Sequence, residues 1–282
     1  MVQWYPGHMA KSMRMMAEQI SLVDVVIELL DARVAYSSKN PAIDSLAANK
    51  KRIVVLNKAD LADPAVTKRW AAHYGSAGHT VIASDALSKK TAAAITDAAH
   101  AALSEKIERE KLRGKKTAIR AMIAGIPNVG KSTLINTLAG QAKTETADRP
   151  GVTRGKQWIK VSAGFDVLDT PGVLWPKTDG RASGVLLAAT GAIRDDAYDI
   201  VSVCGEFLNI LAEIKKDALL ARYKLAEPPP DGLWLEALCK SRGFILKGGI
   251  PDIKRAAAAA LDEFRAGKLG RISLEAPPKI QS

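Results

Sequence analysis

Apolar positions in the first half of the chain fall into short runs separated by stretches of helical period. Val23 to Leu30, Arg52 to Leu56 and Thr80 to Ala83 are rich in Val, Ile and Leu, the composition of parallel strands buried on both faces. Helical patterns lie between them, over Pro41 to Asn49 and Pro64 to Tyr74. Upstream, Met9, Met13, Met16 and Ile20 recur at helical spacing with Lys11, Arg14 and Glu18 between them. They predict an amphipathic opening helix whose Met stripe packs into the core. Thr91 to Leu112 reads as one Ala-rich helix ending in charge, stopped by Gly114-Lys115-Lys116. A strand over Ile119 to Ala124 runs into a glycine-rich loop, and Ser132 to Leu138 continues as helix. Lys156 to Val161 and Phe165 to Leu168 flank a turn at Ala163-Gly164. The alternation predicts an α/β fold, a doubly wound and mostly parallel sheet with one antiparallel strand.

After Trp175-Pro176 the strand signal fades. Ser183 to Tyr223 reads as helix, Glu227 to Gly232 punctuates with a Pro-rich break, and Leu233 to Arg242 and Ile253 to Arg265 read as helix again. The expected organisation is an α/β domain over residues 1–178 followed by a smaller all-α domain over residues 179–282. The Ala256 to Ala260 run reflects helix propensity and close packing, and no internal repeat is visible.

Composition sharpens this picture. With 282 residues and 47% hydrophobic content, the chain can fill globular cores. A net charge of +11 and a pI near 9.6 favour an acidic partner, nucleic acid or an anionic surface, over solubility alone. Cys204 and Cys239 lack C-x-x-C spacing and a nearby His cluster, so they read as free, buried thiols of a reducing compartment rather than metal ligands. Residues 1–8 carry no apolar run before a cleavage site, and no aliphatic stretch is long enough to span a bilayer. A soluble cytoplasmic protein, with no membrane partner and as a monomer, is expected.

Three motifs carry the chemistry. Gly125-Ile126-Pro127-Asn128-Val129-Gly130-Lys131-Ser132 matches G-x-x-x-x-G-K-[ST] between a predicted strand and a predicted helix, which is the context a phosphate loop requires. Gly125 and Gly130 let backbone amides approach phosphates, and the helix that follows adds its positive end. Lys131 is then expected at the β and γ phosphates, with Val129 and Thr133 beside them. Ser132 and Asp169, the latter in Asp169-Thr170-Pro171-Gly172, are expected to hold Mg²⁺ from two sides, and the Gly172 amide to reach the γ phosphate.

The base is chosen elsewhere. Asn57-Lys58-Ala59-Asp60 follows a predicted strand, and the Asp60 carboxylate can accept both the N1 and N2 protons of guanine at about 1.5–3 kcal/mol per charge-assisted bond. Adenine offers no such pair, so the expected ligands are GTP and GDP. Lys58 is expected to cover the base plane and Asn57 to tie this loop to the phosphate loop. Ser84-Asp85-Ala86 sits where a loop should close over guanine O6, although comparable GTPases read Ser-Ala there and Asp85 departs from that habit. Between phosphate helix and next strand, Thr144, Thr146 and Thr153 compete as the switch I ligand of Mg²⁺. Thr153, in Pro150-Gly151-Val152-Thr153, is preferred because it lies nearest the strand.

The order of these motifs is unusual, because the base reader precedes the phosphate loop and Asp169-Thr170-Pro171-Gly172 comes last. The domain is therefore expected to be a circularly permuted P-loop GTPase, with its last switch leading directly into the helical domain. Many small GTPases place a Gln after D-x-x-G to orient water. Here the residue is Val173, which cannot exchange a proton, so intrinsic turnover is expected to be slow. Three substitutes are visible: Asn128, whose residue type helps hold a monovalent cation in potassium-activated GTPases; His8; and Arg149 or Arg154 acting in cis. Such a cation would replace an arginine finger, a device worth roughly 10³–10⁵ in rate.

Pro6-Gly7-His8-Met9-Ala10-Lys11, Asp31-Ala32-Arg33, Asn57 to Asp60, Gly125 to Ser132, Pro150 to Thr153, Asp169 to Pro176 and Phe264 to Arg271 together resemble the YlqF/RbgA family of circularly permuted GTPases, nearly end to end. The resemblance implies GTP hydrolysis coupled to late maturation of the large ribosomal subunit, Mg²⁺, stimulation by K⁺, and a catalytic role for His8. It also implies contact between the helical domain and ribosomal RNA, for which Lys247, Lys254, Arg255, Arg265, Lys268 and Arg271 are the candidates. A competing reading is a regulatory module that grips a protein or an anionic membrane according to its nucleotide and hydrolyses little.

Overall fold

The structure, a computed structural model, describes residues 14–85, 88–115, 118–140, 157–162, 164–169 and 181–278. Its centre is a six-stranded sheet in the order β3-β2-β1-β4-β6-β5, built from β1 (Val25–Asp31), β2 (Lys51–Asn57), β3 (Thr80–Ala83), β4 (Ile119–Gly125), β5 (Gln157–Ser162) and β6 (Phe165–Asp169). All neighbours pair in parallel except β5 with β6, as the sequence predicts.

Because side chains alternate across a strand, the sheet feeds apolar groups to both faces. Val25, Ile27 and Leu29 of β1, Ile53 and Val55 of β2 and Ala121 and Ile123 of β4 enter one apolar cluster. The intervening Val26, Met122 and Leu168 pack with Met16, Ile20 and Ile43, while Leu30, Val54 and Leu56 pack with Trp70 and Tyr74. Helices accordingly cover both sides. Residues 14–20 (α1), α2 (Pro41–Leu46) and α3 (Pro64–Ser76) supply the second face. α4 (Lys89–Ala102) and α6 (Lys131–Ala139) supply the first.

Two expected helices are each broken. The pattern from Thr91 to Leu112 forms α4 and then α5 (Ser104–Leu112), separated at Leu103, whose φ of −115° and ψ of 12° depart from helix. The bend keeps Leu103 in the core while α5, which has no buried residue, faces solvent. The pattern from Ser183 to Tyr223 forms α7 (Arg181–Ala189) and α8 (Ile200–Tyr223). Gly191, at φ 79°, turns the chain after α7, and the Asp199 carboxylate accepts from the Ser202 amide to start α8 afresh.

α9 (Trp234–Arg242) and α10 (Ile253–Arg265) complete a helical bundle around Phe207, Leu211, Leu238 and Leu261. These residues belong to the same apolar cluster as the inner face of the sheet, so the helical unit is seated on the α/β unit. The expected boundary at residues 178–179 lies outside the described residues. Cys204 and Cys239 are both free and buried in the bundle. Among the described residues no helix is long and apolar enough to cross a membrane.

Phe264 of α10 joins the two units. Its ring lies 4.9 Å from that of Phe207, and the Arg33 guanidinium, just beyond β1, stands 5.1 Å over it. Phe264→Ala should cost about 3–5 kcal/mol in urea unfolding, the range for truncating a buried aromatic ring. A loss below about 1 kcal/mol would mean that the units are not joined through this ring.

Candidate functional site

The carboxyl ends of β1, β2 and β4 lie side by side, so the loops that follow them meet. β4 ends at Gly125, where a Cβ would stand 2.8 Å from the Leu29 carbonyl oxygen and 2.9 Å from Val129 Cγ1, so only glycine fits. The loop then passes through two left-handed residues, Asn128 at φ 56° and Gly130 at φ 105°, and α6 starts at Lys131. A non-glycine residue in that region is uncommon and needs neighbours to hold it. Lys131 is buried, and its ammonium donates to the carbonyls of Gly125 at 3.2 Å and Ile126 at 2.8 Å, within the loop. Gly130, the residue before α6, has no side chain with which to cap the first amides, and the positive end of the helix suits an anion. A glycine forced by close packing, an enclosed lysine and a helix that starts behind a glycine fit a nucleotide's phosphates.

The loop after β2, which carries Asn57-Lys58-Ala59-Asp60, is bonded directly to this one. Asn57 Nδ2 donates to the Val129 carbonyl at 2.6 Å, as expected, and the Lys58 ammonium donates to the Asn128 carbonyl at 2.8 Å. Lys58 is itself left-handed, at φ 57°. Ala59 donates to the Ser84 carbonyl and Ser84 to the Leu56 carbonyl, which joins the loop after β3 to the same site. Ser84 is buried, whereas Asp60 and Asp85 are exposed. Asn57 Oδ1 and Ser84 Oγ are buried without a hydrogen-bond partner among the described residues. Ser132 and Thr133 occupy the first turn of α6, half-buried. Asp169 ends β6, its backbone paired with Ile123 of β4. His8, Thr153 and Gly172 lie outside the described residues, as do Thr144, Thr146, Arg149, Arg154 and Val173.

A buried charge cluster underlies Lys58. Asp31, the last residue of β1, accepts from Arg33 Nε at 2.9 Å and Nη2 at 2.8 Å, and its Oδ2 lies 3.2 Å from the Lys58 ammonium. Burial alone would raise the Asp31 carboxyl. The charges of Arg33 and Lys58, with the Arg33 hydrogen bonds, outweigh it and hold the group far below the carboxylate range. Burial likewise lowers the Lys58 ammonium, and Asp31 opposes that. Among the described residues Arg33 Nη1 is buried without a partner, and this guanidinium is held by Asp31 and the Phe264 ring.

The phosphate loop also touches the helical unit. Asn128 Nδ2 donates to the Gly191 carbonyl at 2.8 Å, at the turn after α7. Arg265 of α10 braces that turn by donating to the carbonyls of Ala188 and Ala189 and pairing with Asp195. A cleft of about 850 Å³ between the units is lined by Lys58, Asn128, Gly191 and Arg265. Arg271 spends its guanidinium on the carbonyls of Ala59 and Ala62. Arg265 and Arg271 are thus engaged within the protein. Lys247, Lys254, Arg255 and Lys268 are exposed. The Gly191 and Arg271 contacts had no local sequence signal, since each joins positions far apart in the chain.

The fold and these loops define a P-loop GTPase domain in permuted order, with a helical unit seated on it. A sequence profile described as a 50S ribosome-binding GTPase matches residues 120–223, beginning at the strand of the phosphate loop. The chain is 44% identical over 281 residues to Ribosome biogenesis GTPase A of Bacillus cereus, covering 99% of this chain and 95% of that one. It is also 44% identical to the Priestia megaterium protein of that name over 283 residues, covering 99% and 98%. GNP-bound YlqF from T. maritima superposes with a TM-score of 0.70 at 27% identity, covering 96% of this chain and all of the other. The chain belongs to the ribosome biogenesis GTPase A family, the YlqF/RbgA family.

The charge cluster makes a stability prediction. A carboxyl whose folded pKa is depressed adds stability that is complete above its unfolded value, about pH 4, and drains away as the pH falls below it. Asp31→Asn should remove that acid dependence and cost about 3–5 kcal/mol at pH 7, because the Arg33 charge stays buried without its counter-ion. Urea unfolding from pH 7 down to pH 3 measures both. Parallel curves for the two proteins would rule out Asp31 as the counter-ion.

Proposed function

We propose that the chain is a GTP-hydrolysing assembly factor that binds the maturing large ribosomal subunit and couples hydrolysis to late maturation and to its own release. The observation that carries this reading is the bond from Asn128, in the phosphate loop, to Gly191, in the helical unit. A change at the phosphates thereby reaches the surface that would face the subunit. The relatives' name, Ribosome biogenesis GTPase A, supports the same reading.

In this proposal Asp60 reads guanine, Asn57 and Lys58 hold the base loop on the phosphate loop, and Ser84 and Asp85 close the pocket. Val129, Gly130, Lys131, Ser132, Thr133 and Gly172 serve the phosphates. Mg²⁺ would be held by Ser132, Asp169 and Thr153, and would neutralise charge on the phosphate oxygens. Asn128 Nδ2 is turned to Gly191, so its Oδ1 is the end that would serve K⁺. With Val173 in place of a glutamine, His8 would orient the attacking water in the subunit-bound protein. Lys247, Lys254, Arg255 and Lys268 would meet rRNA phosphates. Residues 1–178 then form the switch and 179–282 the RNA-binding unit, in a monomeric cytoplasmic protein.

The deciding experiment is GTP turnover with and without large subunits, in K⁺ and then in Na⁺. Slow turnover alone, strong acceleration by subunits in K⁺, and subunit binding that weakens steeply with salt are expected. No acceleration by subunits in K⁺ buffer would overturn the reading.

His8→Ala should leave GDP affinity within about twofold and lower subunit-stimulated turnover by about 10²-fold or more, the scale of a lost acid–base group. Equal stimulated turnover in the two proteins would remove His8 from the mechanism.

A further inference from the structure

The chain after α10 returns to the base-reading loop. Gly267 and Gly270, at φ 71° and 94°, turn it, and a Cβ on Gly267 would come within 2.7 Å of Leu61 Cδ2, so the first turn lies directly against that loop. Residues 271–275 then run along two loops at once. On one side Arg271 Nη2 donates to the Ala59 carbonyl at 2.8 Å and Nε to the Ala62 carbonyl at 3.0 Å, while the Ile272 amide donates to the Leu61 carbonyl at 2.9 Å. On the other side the Leu274 amide donates to the Arg33 carbonyl at 2.7 Å. The Glu275 carboxylate accepts from the amides of Tyr36 and Ser37 at 2.9 and 3.0 Å, and the Glu275 carbonyl accepts from Trp70 Nε1. Ser273 Oγ spans the two, accepting from the Asp63 amide and donating to the Ala32 carbonyl.

The carbonyls of residues 59, 61 and 62 are therefore all taken by two consecutive strap residues, and they bracket Asp60. The turn needs such support. Lys58 sits in a left-handed conformation that L residues rarely adopt, and Asp60 itself is exposed. The guanidinium meets both carbonyls with Nε and Nη2 held in one rigid plane, a geometry that an ammonium on a flexible stem does not reproduce.

We propose that Arg271 is a positioning residue for guanine recognition: its fork fixes the turn that carries Asp60, so the C-terminal strap sets how well the site tells guanine from purines that lack the 2-amino group. This rests on the reading of Asp60 as the base reader. Arg271 touches no part of the nucleotide in this proposal and acts through the backbone of residues 59–62.

The test uses the full-length protein and compares GDP with inosine diphosphate, which lacks the N2 protons that Asp60 would accept, by calorimetry or stopped-flow release. Arg271→Ala should weaken GDP about tenfold and inosine diphosphate less than about threefold, so that the preference for guanine shrinks. Arg271→Lys keeps the charge at this exposed position and loses the fork. It should show the same narrowing, and it carries the test if the alanine variant fails to fold. Equal weakening of both nucleotides would mean general loosening and would overturn the proposal. So would an unchanged preference together with weaker large-subunit binding, which would return Arg271 to RNA. Asp60→Asn separates the two readings, since an asparagine amide can donate to the 2-oxo group of xanthine. If Asp60→Asn does not turn preference toward xanthosine diphosphate, the base reading itself has failed and the proposal falls with it. If preference turns but the Arg271 variants keep the guanine preference, the strap alone is refuted.

Discussion

The buried carboxylate of Asp31 is the interaction on which the nucleotide site depends. It stands at the end of the central strand β1, between the strand that leads to the base reader and the strand that leads to the phosphate loop. Two cations are brought to it, Arg33 from its own loop and Lys58 from the next. Removing either cation's counter-charge from so dry a place is costly, so the three side chains hold one another in register. Lys58, fixed in this way, reaches the Asn128 carbonyl and ties one ligand loop to the other. The left-handed backbones of Lys58 and Asn128 are strained positions that such mutual bracing can sustain.

The same cluster opens toward the helical unit. Arg33 lies over Phe264 of α10, and the phosphate loop reaches back to Gly191 after α7 through Asn128. A closed circuit of contacts results, running from α10 through Arg33, Asp31, Lys58 and Asn128 to the turn that Arg265 of α10 braces. Whatever changes the seat of the helical unit must change the free energy of the two loops. By linkage, whatever binds the loops must bias the helical unit by the same amount.

Much of the fold was legible in the sequence because strand burial and motif context are local signals. Every strand was anticipated to within a few residues, and the antiparallel hairpin of β5 and β6 followed from the Ala163-Gly164 turn. The broken helices were not legible, since periodicity at Leu103 continues through the bend and the Gly191 turn sits inside an apolar run. In the site, Asn57, Lys58, Ser84 and the loop from Gly125 to Lys131 come together as their motifs imply. The charge balance behind them was hidden. Asp31 and Arg33 are two residues apart, but their value comes from Lys58 and Phe264, which only tertiary structure supplies. The internal bonds of Arg265 and Arg271 were hidden for a related reason, since their carbonyl partners belong to backbone that sequence does not mark.

Permutation gains a physical meaning from these contacts. In this motif order the segment after Asp169 leads into α7, and the turn ending α7 returns to the phosphate loop. The segment after α10 returns to the base reader. The helical unit is thus attached at both ends, by the chain that continues from Asp169 of β6 and by the residue 271–275 strap on the loop after β2. A unit held at two such points cannot shift by sliding along one interface.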